Sequence, residues 1–257
     1  MSRRVRFTNG RDMELVGLLD EPDTTPSPGV ILSHSFTGYK EIPHLHAIAK
    51  KLLDRGFTVL RFDFSDCVGE SDGKCEDIQL SSQIDDLEHA LDFLREQDGV
   101  DPDRMGLAGH SLGGMTSIMV AARYDIQALA PAGSPAYAEL APLVGGADEL
   151  QRWEDQGFYQ FDSVKKGSVR VNWSFVEDLR QYDARDAIEK VNAPIRVIHG
   201  DRDETVPLSH GEALFRHANQ PKQLHVLAGS DHLYTSDGAQ RELVLLTADW
   251  MERQLRP

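Results

Sequence analysis

Short β-branched runs alternate along most of this chain with segments whose apolar residues recur every three or four positions, and few folds accommodate that alternation. A strand, a helix and a second strand make the βαβ unit. Repeating it gives a mostly parallel sheet covered by helices on both faces. The sequence therefore predicts an α/β fold with a central sheet of about eight strands, at Val5–Phe7, Glu14–Leu19, Val30–Ser33, Thr58–Phe62, Met105–Ala108, Ile126–Ala130, Ile195–His199 and Gln223–Ala228. The clearest helix begins near Ser81, where Ile84, Leu87, Leu91 and Leu94 form one stripe and Ser81 or Ser82 is the expected N-cap. Others run from about Pro43 to Arg55, Leu112 to Arg123, Leu208 to His217 and Ala239 to Gln254. Leu243, Leu246 and Trp250 of the last should face inward.

The rhythm stops between Pro135 and Asp183, where Trp153, Phe158, Tyr159, Phe161, Trp173 and Phe175 are concentrated. An aromatic-rich insertion of this kind suits a cap over a site, so residues 135–183 are expected to form a small cap on a core made of 1–134 and 184–257. An irregular excursion packed on the sheet edge is the alternative.

A formal net charge of −15 repels phosphate backbones and anionic lipid, which argues against nucleic-acid and membrane partners. Asp outnumbers Glu and Arg outnumbers Lys, a balance also found on salt-adapted surfaces. Cys67 and Cys75 are too few for a disulfide framework and lack CxxC spacing. With no apolar run long enough for a membrane span or leader, the expectation is a soluble cytoplasmic protein, monomeric or homodimeric.

After the strand that ends near Ala108 comes Gly109-His110-Ser111-Leu112-Gly113-Gly114, a GxSxG pattern followed by a helical period. A serine at a sharp strand-to-helix turn takes a strained backbone, and the glycines let neighbouring chain pass closely. The helix N-terminus beyond it offers free N–H groups to a developing negative charge, with Leu112 the first donor.

With these residues the chain resembles the α/β-hydrolase fold, and more narrowly its single-domain esterase branch that includes the feruloyl or cinnamoyl esterases. Two further segments carry the resemblance: His34-Ser35-Phe36-Thr37-Gly38, in the place of an HGxxG-like turn, and Arg61-Phe62-Asp63-Phe64 running on to Gly69-Glu70-Ser71-Asp72-Gly73. Ser35 stands where the family has glycine, and the turn after Phe64 is one residue longer than usual. The resemblance implies that the backbone N–H of Phe36 is the second oxyanion donor.

Serine needs a base, and the base needs a carboxylate to fix its tautomer. In this fold the chain order is Ser, acid, His. Of ten histidines, His232 in the turn Gly229-Ser230-Asp231-His232 occupies the expected place. The acid follows the strand ending at His199, where His199-Gly200-Asp201-Arg202-Asp203-Glu204-Thr205-Val206-Pro207 matches the family's HGxxDxxVP and designates Asp203. Asp201 is the rival, read as a turn-former. His44 and His46, two apart on a helix, point to different faces and make a poor metal pair.

The resemblance implies a cofactor-free serine carboxylesterase using Ser111, His232 and Asp203, with Phe36 and Leu112 as oxyanion donors. Its partner would be a small-molecule ester, with a short acyl chain or an aromatic, feruloyl-type one. An acyltransferase, serine peptidase or thioesterase would use the same residues, and a non-catalytic binding protein could share the fold. A serine nucleophile argues against the dehalogenase, epoxide hydrolase and dienelactone hydrolase branches.

Overall fold

Strands in the middle of a parallel sheet are covered on both faces and must be apolar throughout. The computed structural model describes residues 2–163 and 165–256. The chain runs β1 (Arg3–Thr8), β2 (Glu14–Asp20), β3 (Ser27–Ser33), α1 (Pro43–Asp54), β4 (Thr58–Asp63), α2 (Leu80–Arg95), β5 (Val100–His110), α3 (Leu112–Ala121) and β6 (Ala128–Ala132). An irregular stretch follows with α4 (Ala141–Val144), α5 (Ala147–Gln156), β7 (Phe158–Ser163), β8 (Gly167–Asn172), α6 (Ser174–Leu179) and α7 (Ala184–Ile188). The sheet resumes at β9 (Ile195–Gly200), α8 (Leu208–His217), β10 (Lys222–Leu227) and α9 (Asp237–Leu255).

Eight strands form one sheet in the order β1-β2-β4-β3-β5-β6-β9-β10. The β1–β2 and β2–β4 pairs are antiparallel and the remaining pairs parallel. Every residue of β3, β4, β6 and β9 is buried, as central strands require. All eight expected strands are present, so the α/β class and the mostly parallel sheet are as the sequence implies.

On one face, Ile84, Leu87, Leu91 and Leu94 of α2 pack with Met115, Ile118 and Met119 of α3. On the other, Leu45, Ile48 and Leu52 of α1 pack with Leu243, Trp250 and Met251 of α9. Trp250 Nε1–H donates to the Leu129 carbonyl at 3.1 Å, which satisfies the one polar atom of a buried indole. Burying each such leucine contributes about 1.5–3 kcal/mol.

Three local expectations are corrected. Helix α2 starts at Leu80 with Gln79 as its N-cap residue and no side-chain cap, so neither Ser81 nor Ser82 caps it. Instead the Ser81 N–H of the first turn donates to Asp178 Oδ2 at 3.0 Å, a carboxylate supplied by α6 from far along the chain. In α9, Leu246 is only partly buried, and Thr247 and Met251 complete the inward stripe one and two turns beyond Leu243. The 135–183 stretch also contains a two-stranded antiparallel sheet, β7–β8, that the sequence pattern does not reveal. Its aromatic residues surround Trp153, which is buried against Tyr159, Phe161, Trp173 and Phe175 and donates to the Val171 carbonyl. Among the described residues, no helix is long and apolar enough to cross a membrane.

Candidate active site

Strand β5 ends at His110 and α3 begins at Leu112, so Ser111 alone makes the turn. Its backbone sits at φ 55, ψ −122, a conformation L-residues rarely adopt, and its N–H donates to the Ala132 carbonyl at 2.8 Å. The glycines around it are dictated by space. A Cβ at Gly109 would lie 2.3 Å from the Gly113 carbonyl oxygen, and one at Gly113 would lie 2.3 Å from that of His34. At Gly114 a Cβ would meet Ser134 Oγ. The sequence pattern therefore reflects three close approaches that hold the hydroxyl over the end of the sheet.

His232 follows β10 and Asp203 follows β9, and parallel pairing of these strands brings the two loops together. Asp203 Oδ2 lies 2.7 Å from His232 Nδ1, and His232 Nε2 lies 3.0 Å from Ser111 Oγ. A carboxylate only accepts, so Nδ1 carries the proton and Nε2 is left to accept from the serine hydroxyl. The other oxygen of Asp203 takes the N–H groups of Thr205 and Val206 at 3.0 and 2.7 Å, which fixes the carboxylate plane. Asp201, the rival acid, does something else: its Oδ1 accepts the Gly229 N–H at 2.6 Å, clamping the loop that bears His232. It bonds across loops, not to its own turn as the sequence suggests. Asp231 is turned away to Thr235.

Beneath His232 lies a group of buried rings that chain order alone excludes as catalytic bases. His110 Nε2–H donates to the His232 carbonyl at 2.9 Å, and its ring packs against His44 and Tyr234. His199 donates to the Val206 carbonyl at 2.8 Å, its ring 3.5 Å from Asp203. Burial holds His110 far below the ordinary imidazole range, pushes His199 down, and lowers His44 to about 4. These three imidazoles are thus neutral near neutral pH, and a positive charge arising on His232 would meet Asp203 without cationic neighbours beneath it.

The loop after β3 is also pinned. His34 Nδ1–H donates to the Ser35 carbonyl at 2.9 Å, its Nε2 accepts from the Phe64 N–H at 3.1 Å, and the Gly38 N–H donates to the same Ser35 carbonyl at 2.9 Å. In a trans peptide the C=O and the following N–H point opposite ways. With the Ser35 carbonyl turned into the loop, the Phe36 N–H is turned out of it. Phe36 and Leu112 line one small cavity together with Ser111, and among the described residues neither N–H finds a protein acceptor.

His34, Asp63 and Cys67 are the one described group of three that could hold a metal. The residues fit structure better: both His34 nitrogens are engaged, Asp63 is paired with buried Lys40, and burial pushes the Cys67 thiol up. His44 is buried while His46 reaches Arg61, so that pair diverges.

A family model described as the prolyl oligopeptidase family matches residues 79–257, the span that contains Ser111, Asp203 and His232. A second, described as the dienelactone hydrolase family, matches residues 15–141. Separating the chain from dienelactone hydrolases by its serine therefore overstates the distance, because strands, elbow glycines and loops can be alike whatever atom attacks. An Escherichia coli protein, the uncharacterized 31.7 kDa protein in the traX-finO intergenic region, is 24% identical over 89% of this chain and 91% of its own length. Est1E from Butyrivibrio proteoclasticus, solved with ferulic acid bound, is 25% identical, with a TM-score of 0.82 over 98% of this chain and 100% of that one. The α/β hydrolase GrgF from Penicillium sp. sh18 shares the fold, with a TM-score of 0.86, 18% identity and 99% of each chain covered.

Proposed function

Because the chain belongs to the prolyl oligopeptidase family, a family of α/β-fold hydrolases, we propose that it is a serine hydrolase cleaving carboxylic esters through an acyl-enzyme on Ser111. The observation that carries this reading is the line of hydrogen bonds from Asp203 through His232 to Ser111, at 2.7 and 3.0 Å. Ser111 Oγ attacks the ester carbonyl as its proton passes to His232 Nε2, and Asp203 stabilises the imidazolium that results. The oxyanion is held by the N–H groups of Leu112 and Phe36, each worth ~10²–10³ in rate by analogy with other oxyanion donors. His232 then protonates the departing alcohol, and water enters by the same route in reverse. Side chains and water suffice, with no cofactor. In this reading residues 135–183 act as a cap, since Pro135, Tyr137, Leu140 and Phe175 all line the cavity at Ser111.

The likeness to Est1E supports an aromatic, feruloyl-type acyl group as one candidate beside short aliphatic ones. Peptide-bond cleavage is the second reading, favoured by the family match itself. A fluorophosphonate probe tests the nucleophile: the wild type should be labelled and Ser111→Ala should not. A folded wild type that resists the probe and hydrolyses no ester sinks the proposal. Faster turnover of peptide p-nitroanilides than of p-nitrophenyl esters decides for the peptidase.

A further inference from the structure

Three non-glycine residues near the Ser111–His232 pair have left-handed backbone: Ser111 at φ 55, Thr37 at 51 and Tyr234 at 54. For a β-branched threonine this is a genuine outlier, and such strain persists where the surroundings hold a ligand clamp in place. Thr37 and Tyr234 both line a mostly apolar cavity of about 460 Å³ that Ser111 does not line. The loop from Ser35 to Pro43 makes one wall, Leu233 to Thr235 another, and Asp162, Ser163 and Lys165 close it. The cavity at Ser111 is far smaller, about 50 Å³, bounded by Leu140, Leu143, Phe175 and Leu179. Phe36 borders both, its ring 5.0 Å from Phe161 and 4.8 Å from Phe175, and so forms the partition.

We infer that the large cavity is the leaving-group subsite, and that the enzyme takes short-chain acyl esters, acetyl to butyryl, of bulky and largely apolar alcohols. This rests on the serine-hydrolase reading above and assigns the two sides of its substrate. The acyl carbon bonds to Ser111 Oγ with its oxygen toward Leu112 and Phe36, so its chain enters the cavity those residues line. A volume of about 50 Å³ holds three to five water-sized groups at ~10–15 Å³ each, too few for a feruloyl chain and ring. As the Oγ–C bond forms and the ester C–O bond breaks, the proton taken from Oγ passes from His232 Nε2 to the leaving oxygen. The alcohol must therefore lie against His232, and the residues that follow His232 wall the large cavity. Its volume is that of a pocket for a drug-sized group. Leu233, 59% exposed at its wall, is one of three large apolar side chains left to solvent among the described residues.

The test compares kcat/KM for naphthylmethyl acetate, ethyl acetate, naphthylmethyl hexanoate and methyl ferulate, alcohols of similar leaving ability being paired. Naphthylmethyl acetate should exceed ethyl acetate by ~10²-fold and naphthylmethyl hexanoate by at least ~10-fold, the scale on which apolar pockets discriminate. Leu143→Ala should bring hexanoate closer to acetate, and Leu233→Asp should cut naphthylmethyl acetate at least ~10-fold more than ethyl acetate, through KM. Equal rates for the ethyl and naphthylmethyl acetates, or a preference for methyl ferulate, overturns the assignment of the cavities and leaves the esterase standing. Failure on every ester together with failure of fluorophosphonate labelling overturns the esterase reading itself.

Discussion

Replacing Asp203 by asparagine changes one atom, and the structure dictates which way the amide will turn. One carboxylate oxygen accepts two backbone N–H groups, from Thr205 and Val206, and the other accepts the His232 Nδ1–H. An asparagine has one acceptor. Aiming its NH₂ at Thr205 and Val206 would leave one half-buried and one buried donor facing a donor, at a cost of about 1–3 kcal/mol for the buried one and less for the other. Aiming it at His232 costs one bond, which the imidazole recovers by moving its proton to Nε2. The second arrangement wins, and it presents Ser111 with a donor where an acceptor is needed. In a serine protease triad the corresponding change lowers kcat by about 10⁴, or roughly 5.4 kcal/mol of transition-state stabilisation. Asp203→Asn should show a loss of that order in kcat on p-nitrophenyl acetate at neutral pH, with KM little changed and thermal stability near wild type. Asp201→Asn is the control, because its amide oxygen can keep the Gly229 N–H at little cost to rate. If Asp203→Asn retains more than a tenth of the wild-type rate, or if Asp201→Asn falls as far, the tautomer argument is wrong.

Two further outcomes follow from groups that burial has constrained. His44 is lowered to about 4 by desolvation and then by His232, so in the fold it stays neutral where the unfolded chain binds a proton. A depressed pKa contributes stability above the unfolded value of ~6.5 that is lost as pH falls toward 4, amounting to about 2.5 kcal/mol at pH 4.5. Its packing neighbours His110 and Tyr234 carry no charge that would offset this. In urea denaturation, His44→Phe should therefore lose less stability than wild type between pH 7 and 4.5, and parallel losses would refute the assignment. Asp178→Ala removes the only cap found for the first turn of α2 among the described residues, the bond to the Ser81 N–H, and should lower unfolding free energy by about 1–2 kcal/mol. An unchanged urea midpoint would show that water replaces the carboxylate.

The expected strands were legible because central parallel strands have no polar face, and runs such as Val30-Ile31-Leu32 fit little else. The three residues placed together at the sheet's end were legible for a different reason. The elbow glycines leave no space for a side chain, and the order of the loops follows from the order of the strands. What escaped was set by distant partners. The N-cap serines failed because the helix begins before them, at Leu80, and the free Ser81 N–H of its first turn is taken by Asp178, nearly a hundred residues downstream. The β7–β8 ribbon failed because Phe-Tyr-Gln-Phe-Asp-Ser has no β-branched run, and its stability comes from Trp153 packed against Tyr159 and Phe161.

Chemistry and selectivity therefore differ in how far they can be read from a linear chain. The proposed acid, base and nucleophile each need one residue type at one place, so a short pattern announces them. The two cavities need only a volume, and that volume is the difference between side chains contributed by the 34–43 loop, the 135–183 stretch and the loop after β10. Phe36 joins the two problems, because the proposed mechanism uses its N–H at the reacting carbonyl and the proposed assignment of the cavities uses its ring as the wall between them. Phe36→Ala would keep the N–H and remove the wall. With the two spaces merged, the variant should lose acyl-chain discrimination by ~10-fold or more between acetate and hexanoate esters while fluorophosphonate labelling persists. If discrimination stays intact, the ring is not the partition, and the acyl limit must come from Leu140, Leu143, Phe175 and Leu179.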